Sequence, residues 1–197
     1  MRGFVKVILI INVALLLLGG ILIGVGLLLG GRGSWAFNIN PGNTNFNTVE
    51  YTDNTMDLDD FDNIKVDVDS MDISLVKGDE YKIEYHCIKD KEPEINVENN
   101  ILDVKRKTQN NFNFFFMSMD SERLTITVPE DQNVDIVVSS GDINVNAVNV
   151  EGKIRTSSGD IDINDSNGES LSVEATSGDI SIERCEYEDE LKVKQTS

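Results

Sequence analysis

Apolar and polar side chains alternate in short runs along the chain from Phe61 onward. A period of two with many β-branched residues is typical of strands that bury one face, and no run has the period of an amphipathic helix. The pattern therefore predicts an all-β domain over residues 61–197. The clearest runs are Ile64-x-Val66-x-Val68, Tyr81-x-Ile83-x-Tyr85-x-Cys87, Ile95-x-Val97, Leu102-x-Val104 and Leu124-x-Ile126-x-Val128.

A four-residue phrase returns three times in the last third of the chain, at Ser139–Asp142, Ser157–Asp160 and Thr176–Asp179. Its glycines are 18 and then 19 residues apart, and each copy is followed by Ile-x-Val or Ile-x-Ile. Self-similarity at a short period indicates stacked like units. The repeat predicts a β-helix or β-solenoid-like stack of short strands.

The spacing around each phrase predicts a bend. Five positions separate the last inward residue before the phrase from the first inward residue after it, as from Val138 to Ile143. Five is odd, so a straight strand would turn its second half to the opposite face. We expect the chain to bend at Gly-Asp, because glycine adopts positive φ readily and Asp or Ser can bond nearby N–H groups.

The same gap occurs far upstream, from Val68 to Ile73, with Met71 where the glycine would be. It predicts a degenerate first copy, so the stack begins near residue 61. Residues 81–130 do not keep the period, and we expect Ile101–Lys107 to pair with Arg123–Val128 as a hairpin. The loop between them holds Phe112–Met117, an apolar cluster that either fills the core or forms an exposed contact patch.

The N-terminal part predicts a membrane anchor. Val7 to Leu29 are 23 residues with one polar member, Asn12, and a helix of that length spans roughly 35 Å. A cleavable signal peptide has a shorter apolar run. Arg2 and Lys6 before the run favour a cytoplasmic N-terminus and an extracytoplasmic domain. We expect an anchor over residues 1–32, an Asn/Thr-rich stalk over 33–60 and the β domain over 61–197.

The charge is concentrated in the part beyond the anchor. Three of the 17 basic residues precede Glu50, whereas all 35 acidic residues lie at or after it, which leaves −21 for the outer part. Such a surface repels nucleic acid and anionic lipid headgroups. It either maintains solubility or faces a cationic partner or divalent ions.

The sequence lacks the usual signatures of catalysis and cofactor binding. His86 is the one histidine and lies opposite Cys87 in its strand, and no phosphate loop, nucleophile elbow or metalloprotease helix occurs. Cys87 and Cys185 are interpreted as buried small hydrophobes, with a mutual disulfide as the alternative. We predict no catalytic, cofactor-binding or metal-binding residues.

Asp142, Asp160 and Asp179 would stack as a ladder if the repeats are in register. Carboxylates about 4.8 Å apart repel one another unless they are solvated, bonded to backbone or bridged by cations. Calcium-binding β-rolls use a nine-residue glycine-rich repeat that differs from this one. Backbone capping is therefore the first interpretation of the ladder, and calcium binding is the alternative.

An anchor followed by an acidic strand-rich domain with Ser-Gly-Asp-Ile corners resembles the bacterial putative-adhesin family known as domain of unknown function 4097. The resemblance covers about residues 61–197, and Met71 departs from its pattern. It implies a right-handed β-helix or β-solenoid-like fold on the outer face of the cell membrane. It carries no catalytic residues, and some relatives are linked to envelope-stress systems.

One function and two alternatives follow. The first is a non-catalytic, membrane-anchored surface module that acts through protein or envelope contacts, in adhesion or as an envelope-stress accessory. The alternatives are a β-helix enzyme acting on surface polysaccharide and a calcium-stabilised structural repeat. The run Leu191–Ser197 matches Leu171–Ser177, which leads us to expect that the sequence is a C-terminally truncated piece of a longer repeat protein.

Overall fold

A computed structural model describes residues 50–106, 121–129 and 131–196. The regular structure in these ranges is entirely β, as the alternating pattern predicts. The described strands are β1 Tyr51–Asp57, β2 Asn63–Ser70, β3 Asp72–Lys77, β4 Lys82–Ile88, β5 Glu94–Glu98, β6 Ile101–Arg106, β7 Arg123–Val128, β8 Gln132–Ser140, β9 Ile143–Asn146, β10 Val150–Ser158, β11 Ile161–Asn164, β12 Asn167–Ser177, β13 Ile180–Glu183 and β14 Glu186–Gln195.

The strands form two sheets that enclose one core. The first sheet has the order β1-β4-β7-β3-β9-β11-β13, and the second has the order β14-β12-β10-β8-β2-β6-β5. We use the word rung for two strands, one from each sheet, that follow each other in the chain and occupy the same level of the stack. Rungs stack parallel and in register, so that Ile73, Ile143, Ile161 and Ile180 form one row. Inward side chains of both sheets meet between them, and most of them are buried.

The bend predicted from the gap of five is confirmed. Val138 and Ile143 are both buried, although they lie on opposite sides of the corner. β8 belongs to the second sheet and β9 to the first, so the corner carries the chain from one sheet to the other. The degenerate copy is also a rung, because β2 and β3 pair in register with β8 and β9.

The predicted hairpin between Ile101–Lys107 and Arg123–Val128 is wrong. β6 pairs with β2 and β5 in the second sheet, whereas β7 pairs with β3 and β4 in the first. The two strands are the halves of another rung, which lies on the far side of β2–β3 from β8–β9. Alternation alone does not distinguish these arrangements, because a hairpin and a rung bury the same Leu102, Val104, Leu124 and Ile126.

The predicted stalk over residues 33–60 is wrong at its end, where β1 pairs antiparallel with β4 from Tyr51 to Asp57. The Asn and Thr residues of this segment give no alternating apolar pattern, so the sequence did not indicate the strand. In the structure, Met56 is half-buried against the core. The predicted anchor over 1–32, the first part of the stalk and the loop Phe112–Met117 lie outside the described residues. Within the described ranges, no helix has the length and apolar character needed to cross a membrane.

Candidate interaction surface

The glycine corners nest against one another. Gly141, Gly159 and Gly178 have φ of +148°, +138° and +140°. A Cβ added at Gly159 would lie 2.1 Å from the carbonyl oxygen of Gly141, and one added at Gly178 would lie 2.0 Å from that of Gly159. Each corner therefore rests directly on the backbone of the corner before it, and a side chain at this position would separate the rungs.

The aspartates of the corners form the ladder that the repeat predicts. Asp142 Oδ1 accepts the backbone N–H of Asp160 at 2.8 Å, and Asp160 Oδ1 accepts that of Asp179 at 2.8 Å. Asp72 of the degenerate copy caps Asp142 in the same way at 3.0 Å. At the last rung, Gln195 Nε2 donates to Asp179 Oδ1 at 3.0 Å. The carboxylates of Asp72, Asp142 and Asp160 thus each satisfy a corner N–H that the strand ladders leave unpaired.

These contacts support backbone capping as the role of Asp142 and Asp160, each of which directs one carboxylate oxygen at a peptide N–H of the next rung. The corresponding oxygen of Asp179 instead accepts a hydrogen bond from the side-chain amide of Gln195. In the described ranges, no three His, Cys, Asp or Glu side chains are grouped so that they could share a metal ion.

A second ladder follows the opposite edge of the stack, where each rung passes to the next. Asn149 Oδ1 accepts the N–H of Asn167 at 3.0 Å, and Asn167 Oδ1 accepts the N–H of Glu186 at 3.0 Å. Asn149 Nδ2 donates to Asp131 at 2.9 Å. The sequence interpretation missed this ladder, although the 18-residue spacing of Asn149 and Asn167 equals the glycine spacing.

The same edge places an ion pair between neighbouring turns. Arg184 donates two hydrogen bonds to Asp165, from Nε at 2.6 Å and from Nη2 at 3.0 Å. The hydrogen bond and the charge of Arg184 hold the pKa of Asp165 below its usual value. Asp165 and Arg184 both have φ near +55°, so this turn is built from non-glycine residues in the left-handed region. The pair is exposed, and we assign it to local order of the turn.

An acidic groove of about 650 Å³ runs beside the second ladder. Its lining contains six carboxylates and several asparagines and has no Lys, Arg or His. The groove lies where the strands of the second sheet begin, and its floor is backbone held by the Asn149–Asn167 ladder. We call it the acidic groove; its carboxylates belong to Asp62, Asp131, Glu151, Glu169, Glu186 and Glu188.

The outer face of the second sheet has a different character, because acidic and basic side chains alternate across its strands. One row places Asp103 beside Lys65, Lys65 beside Asp135 and Asp135 beside Lys153. In the next row, Arg155 Nε donates to Glu174 at 3.0 Å. Opposite charges on adjacent strands stabilise a sheet modestly, so this face carries charges of both signs, whereas the charged side chains that line the acidic groove are all negative.

His86 and Cys87 lie on opposite faces of β4, as predicted. His86 Nδ1 lies 2.8 Å from Asp53 Oδ1, and its ring stacks on Tyr51 with centroids 5.0 Å apart. Both partners belong to β1, which the sequence interpretation assigned to the stalk and therefore missed. Cys87 is buried, and desolvation raises the pKa of its thiol.

The second cysteine differs from its prediction. Cys185 is only half-buried and donates to the carbonyl of Glu183 at 3.2 Å, so its interpretation as a fully buried hydrophobe is wrong. Cys185 lies in the turn between β13 and β14, which are edge strands of the described sheets. Both cysteines are free thiols.

A buried ion pair closes the β6–β7 rung, where a Ser-Gly-Asp corner would otherwise be. Arg106 aligns with Val68 in the inward row, and its Nη2 lies 2.6 Å from Glu122 Oε2. The two side chains are 5% and 12% exposed. Glu122 Oε1 also accepts the N–H of Ile88 at 2.8 Å. The pair therefore joins β6, β7 and the end of β4 at the base of the inserted segment.

Comparison with solved structures gives distant matches. A protein named as a putative cell adhesion protein from Clostridium sporogenes has 10% identity and a TM-score of 0.46, covering 74% of this chain and 100% of its own. A putative adhesin from Parabacteroides distasonis has 15% identity and a TM-score of 0.35, covering 68% and 73%. A putative lipid binding protein from the same organism has 13% identity and a TM-score of 0.30, covering 75% and 97%.

None of the curated proteins compared with the chain matches it. The family described as Toastrack DUF4097 matches residues 61–197. The match begins where the stack was predicted to begin, and it spans well over half of the chain. The resemblance suggested by the Ser-Gly-Asp-Ile corners is therefore confirmed, and the chain belongs to the Toastrack DUF4097 family.

Proposed function

We propose that the protein is a non-catalytic, membrane-anchored surface module that acts by contact on the outer side of the cell membrane. One observation supports this proposal above the others. The Asp and Asn side chains of the corner ladders, from Asp72 to Asp160 and from Asn149 to Asn167, are engaged by the backbone of neighbouring rungs. What the stack offers to other molecules is its outer surface, above all the acidic groove.

The chemistry of the acidic groove favours a cationic protein segment or basic envelope component over an acidic polysaccharide. Six carboxylates without a neighbouring base repel uronic acids and attract Lys- or Arg-rich chains, most strongly at low salt. This is the reason to favour contact over the alternative of a polysaccharide-acting enzyme. A partner in the same membrane would make the protein an envelope-stress accessory, and one on another surface would make it an adhesin.

Site-specific photo-crosslinking of the full-length chain in intact cells tests the contact role. A photoreactive residue at Glu169 in the acidic groove should capture a discrete partner, whereas one at Ser157 on the exposed opposite corner should not. Glu151→Lys should reduce the capture at Glu169. Equal capture at both positions would remove the groove from the proposal, and substrate turnover that disappears when one carboxylate is replaced would establish the enzyme alternative.

The orientation in the membrane has its own test. A membrane-impermeant maleimide applied to intact cells should label Thr176→Cys, which is exposed, and should not label buried Cys87 before denaturation. Cys185 is replaced by Ala in this experiment to remove its half-buried thiol. Labelling of Thr176→Cys only after cell lysis would show that the domain is cytoplasmic.

A further inference from the structure

A second depression lies on the outer face of the first sheet, where β1, β4 and β7 run side by side. Its volume is about 270 Å³, and none of the residues that line it also line the acidic groove. Six of its side chains occupy outward positions in two rows across these strands, Asp53-His86-Arg123 and Thr55-Glu84-Thr125. The strand pairing therefore gathers acids, a base, an aromatic ring and hydroxyls at one place.

A charged ligand of either sign is poorly matched to this depression. Asp53 and Glu84 supply carboxylates, the second already paired with Lys82 at 2.9 Å. Arg123 supplies an exposed guanidinium that forms no ion pair with another described residue. An anion would meet the two acids, and a cation would meet the arginine. A hydroxyl group donates to a carboxylate and accepts from a guanidinium, so an uncharged, hydroxyl-rich ligand is complementary to both.

The walls of the depression are polar and partly fixed. The ring of His86 stacks on Tyr51 with an interplanar angle of 4°, and its Nδ1 lies 2.8 Å from Asp53 Oδ1. The described lining residues include no Leu, Ile, Val, Met or Phe. A protein partner would find no apolar pocket for the anchors that dominate protein interfaces. A ligand recognised by hydrogen bonds would instead meet groups that are already in position.

The polar surface continues from the depression across the parallel part of the sheet. Thr125 aligns with Ser74 of β3, and Ser74 aligns with Asn144 of β9. We call these three residues the polar row. Their side chains are half-buried, and none forms a hydrogen bond with another described residue. Because neighbouring strands are about 4.8 Å apart, the polar row suits a chain of repeating polar units that crosses the strands.

We propose that this face of the first sheet binds an uncharged glycan strand. One sugar unit lies in the depression, where its hydroxyls bond Arg123 and the two carboxylates, and the next units follow the polar row. A uronic acid would be repelled by the same carboxylates. The glycan is bound without being cleaved, and this contact is separate from that of the cationic partner in the acidic groove.

An array of neutral oligosaccharides, uronic-acid oligosaccharides and uncharged peptides tests the class of ligand, with the labelled full-length chain applied in mild detergent. Binding should be confined to the neutral oligosaccharides and should increase with their length, because longer chains reach the polar row. Added salt should have little effect, since no ion pair forms with the ligand. Binding to none of the probes, or only to the acidic ones or the peptides, would overturn the proposal.

Substitutions test the location, with calorimetric titration of a neutral oligosaccharide from the array. Arg123→Ala should weaken binding about tenfold, because it removes a charged hydrogen-bond donor. Ser74→Arg should weaken it at least as much, since a long side chain then obstructs the polar row. Ser172→Arg is the matched control, because Ser172 is a half-buried serine on the outer face of the second sheet and gains the same charge. Its affinity should be unchanged.

Circular dichroism confirms that each variant folds. Equal losses of affinity in Ser74→Arg and Ser172→Arg would show a non-specific charge effect and would refute the location. Full affinity in both Arg123→Ala and Ser74→Arg would refute it as well. Ser74→Arg should leave the photo-crosslinking at Glu169 unchanged, so the glycan contact and the proposed contact of the acidic groove can each fail independently.

Discussion

Replacing Gly159 by alanine tests whether the corners hold the rungs at their spacing. The new Cβ would lie 2.1 Å from the carbonyl oxygen of Gly141 and 2.6 Å from its carbonyl carbon. Both contacts are with backbone, so no side chain can rotate away. The residue would also need φ of +138°, which L-residues rarely adopt. Conformational strain of about 1–3 kcal/mol and overpacking of about 1–3 kcal/mol together predict a loss of roughly 2–6 kcal/mol.

The assay is thermal unfolding of the full-length chain, followed by circular dichroism of the β signal. For a protein of this size, a loss of about 3 kcal/mol lowers Tm by roughly 6–12 °C. Ser158→Ala is the matched control, because Ser158 is the exposed neighbour in the same corner and should change stability by less than about 0.5 kcal/mol. If Gly159→Ala melted within the range of that control, the nested stacking of the corners would be refuted.

The degenerate corner gives the opposite expectation at the equivalent position. Met71 occupies the position of the glycine, and its side chain is buried. Its carbonyl oxygen lies against Gly141 of the next rung. Met71→Gly removes a buried side chain and should cost about 2–5 kcal/mol by the same melting assay. A side chain is therefore required at this corner and excluded at the next three. Tolerance of Met71→Gly would show that the first rung is not packed like the others.

Three further outcomes follow from individual contacts. Asp160→Ala removes the hydrogen-bond acceptor of the Asp179 N–H and should lower the free energy of unfolding by about 0.5–1.5 kcal/mol. Asp160→Asn keeps an acceptor and should melt close to wild type in the same assay. Arg106→Met leaves Glu122 largely buried without its charge partner and should lower the free energy of unfolding by about 3–5 kcal/mol. The loss should be smaller when Arg106→Met is combined with Glu122→Gln, which a double-mutant cycle would measure. Burial raises the pKa of the Cys87 thiol above its ordinary value. The thiol of the unfolded chain therefore ionises first, and stability falls as pH rises above about 8.5. Urea unfolding at several pH values should find this slope reduced in Cys87→Ala.

The sequence predicted the parts of the fold in which a local rule repeats. The gap of five between Val138 and Ile143 identifies the bend, and the same gap identifies β2–β3 despite Met71. The sequence did not predict the positions of β6 and β7 in the two sheets, because a long insertion replaces the corner between them and neither strand contains the repeated phrase. Only the in-register pairing with β2 and β3 distinguishes a rung from a hairpin, and that pairing is a long-range property.

The same distinction applies to the candidate surface. The aspartate ladder could be predicted from the sequence, because Asp142, Asp160 and Asp179 recur at fixed positions of a stack. The contact of His86 with Asp53 could not be predicted, since it depends on an edge strand whose Asn and Thr content resembles that of a linker. The acidic groove was also missed as a groove, because its carboxylates come from Asp62 and from several later strand starts that only the stacking brings together.

The residues that recur at the period are held by the backbone of the neighbouring rung. Gly159 is confined by the carbonyl of Gly141, and the carboxylate of Asp160 binds the N–H of Asp179. Such positions are fixed by the geometry of stacking, so chemistry available to partners must come from outward side chains, such as Glu151 and Glu169 of the acidic groove. Function in this domain is therefore expected to change with substitutions that leave the repeat intact.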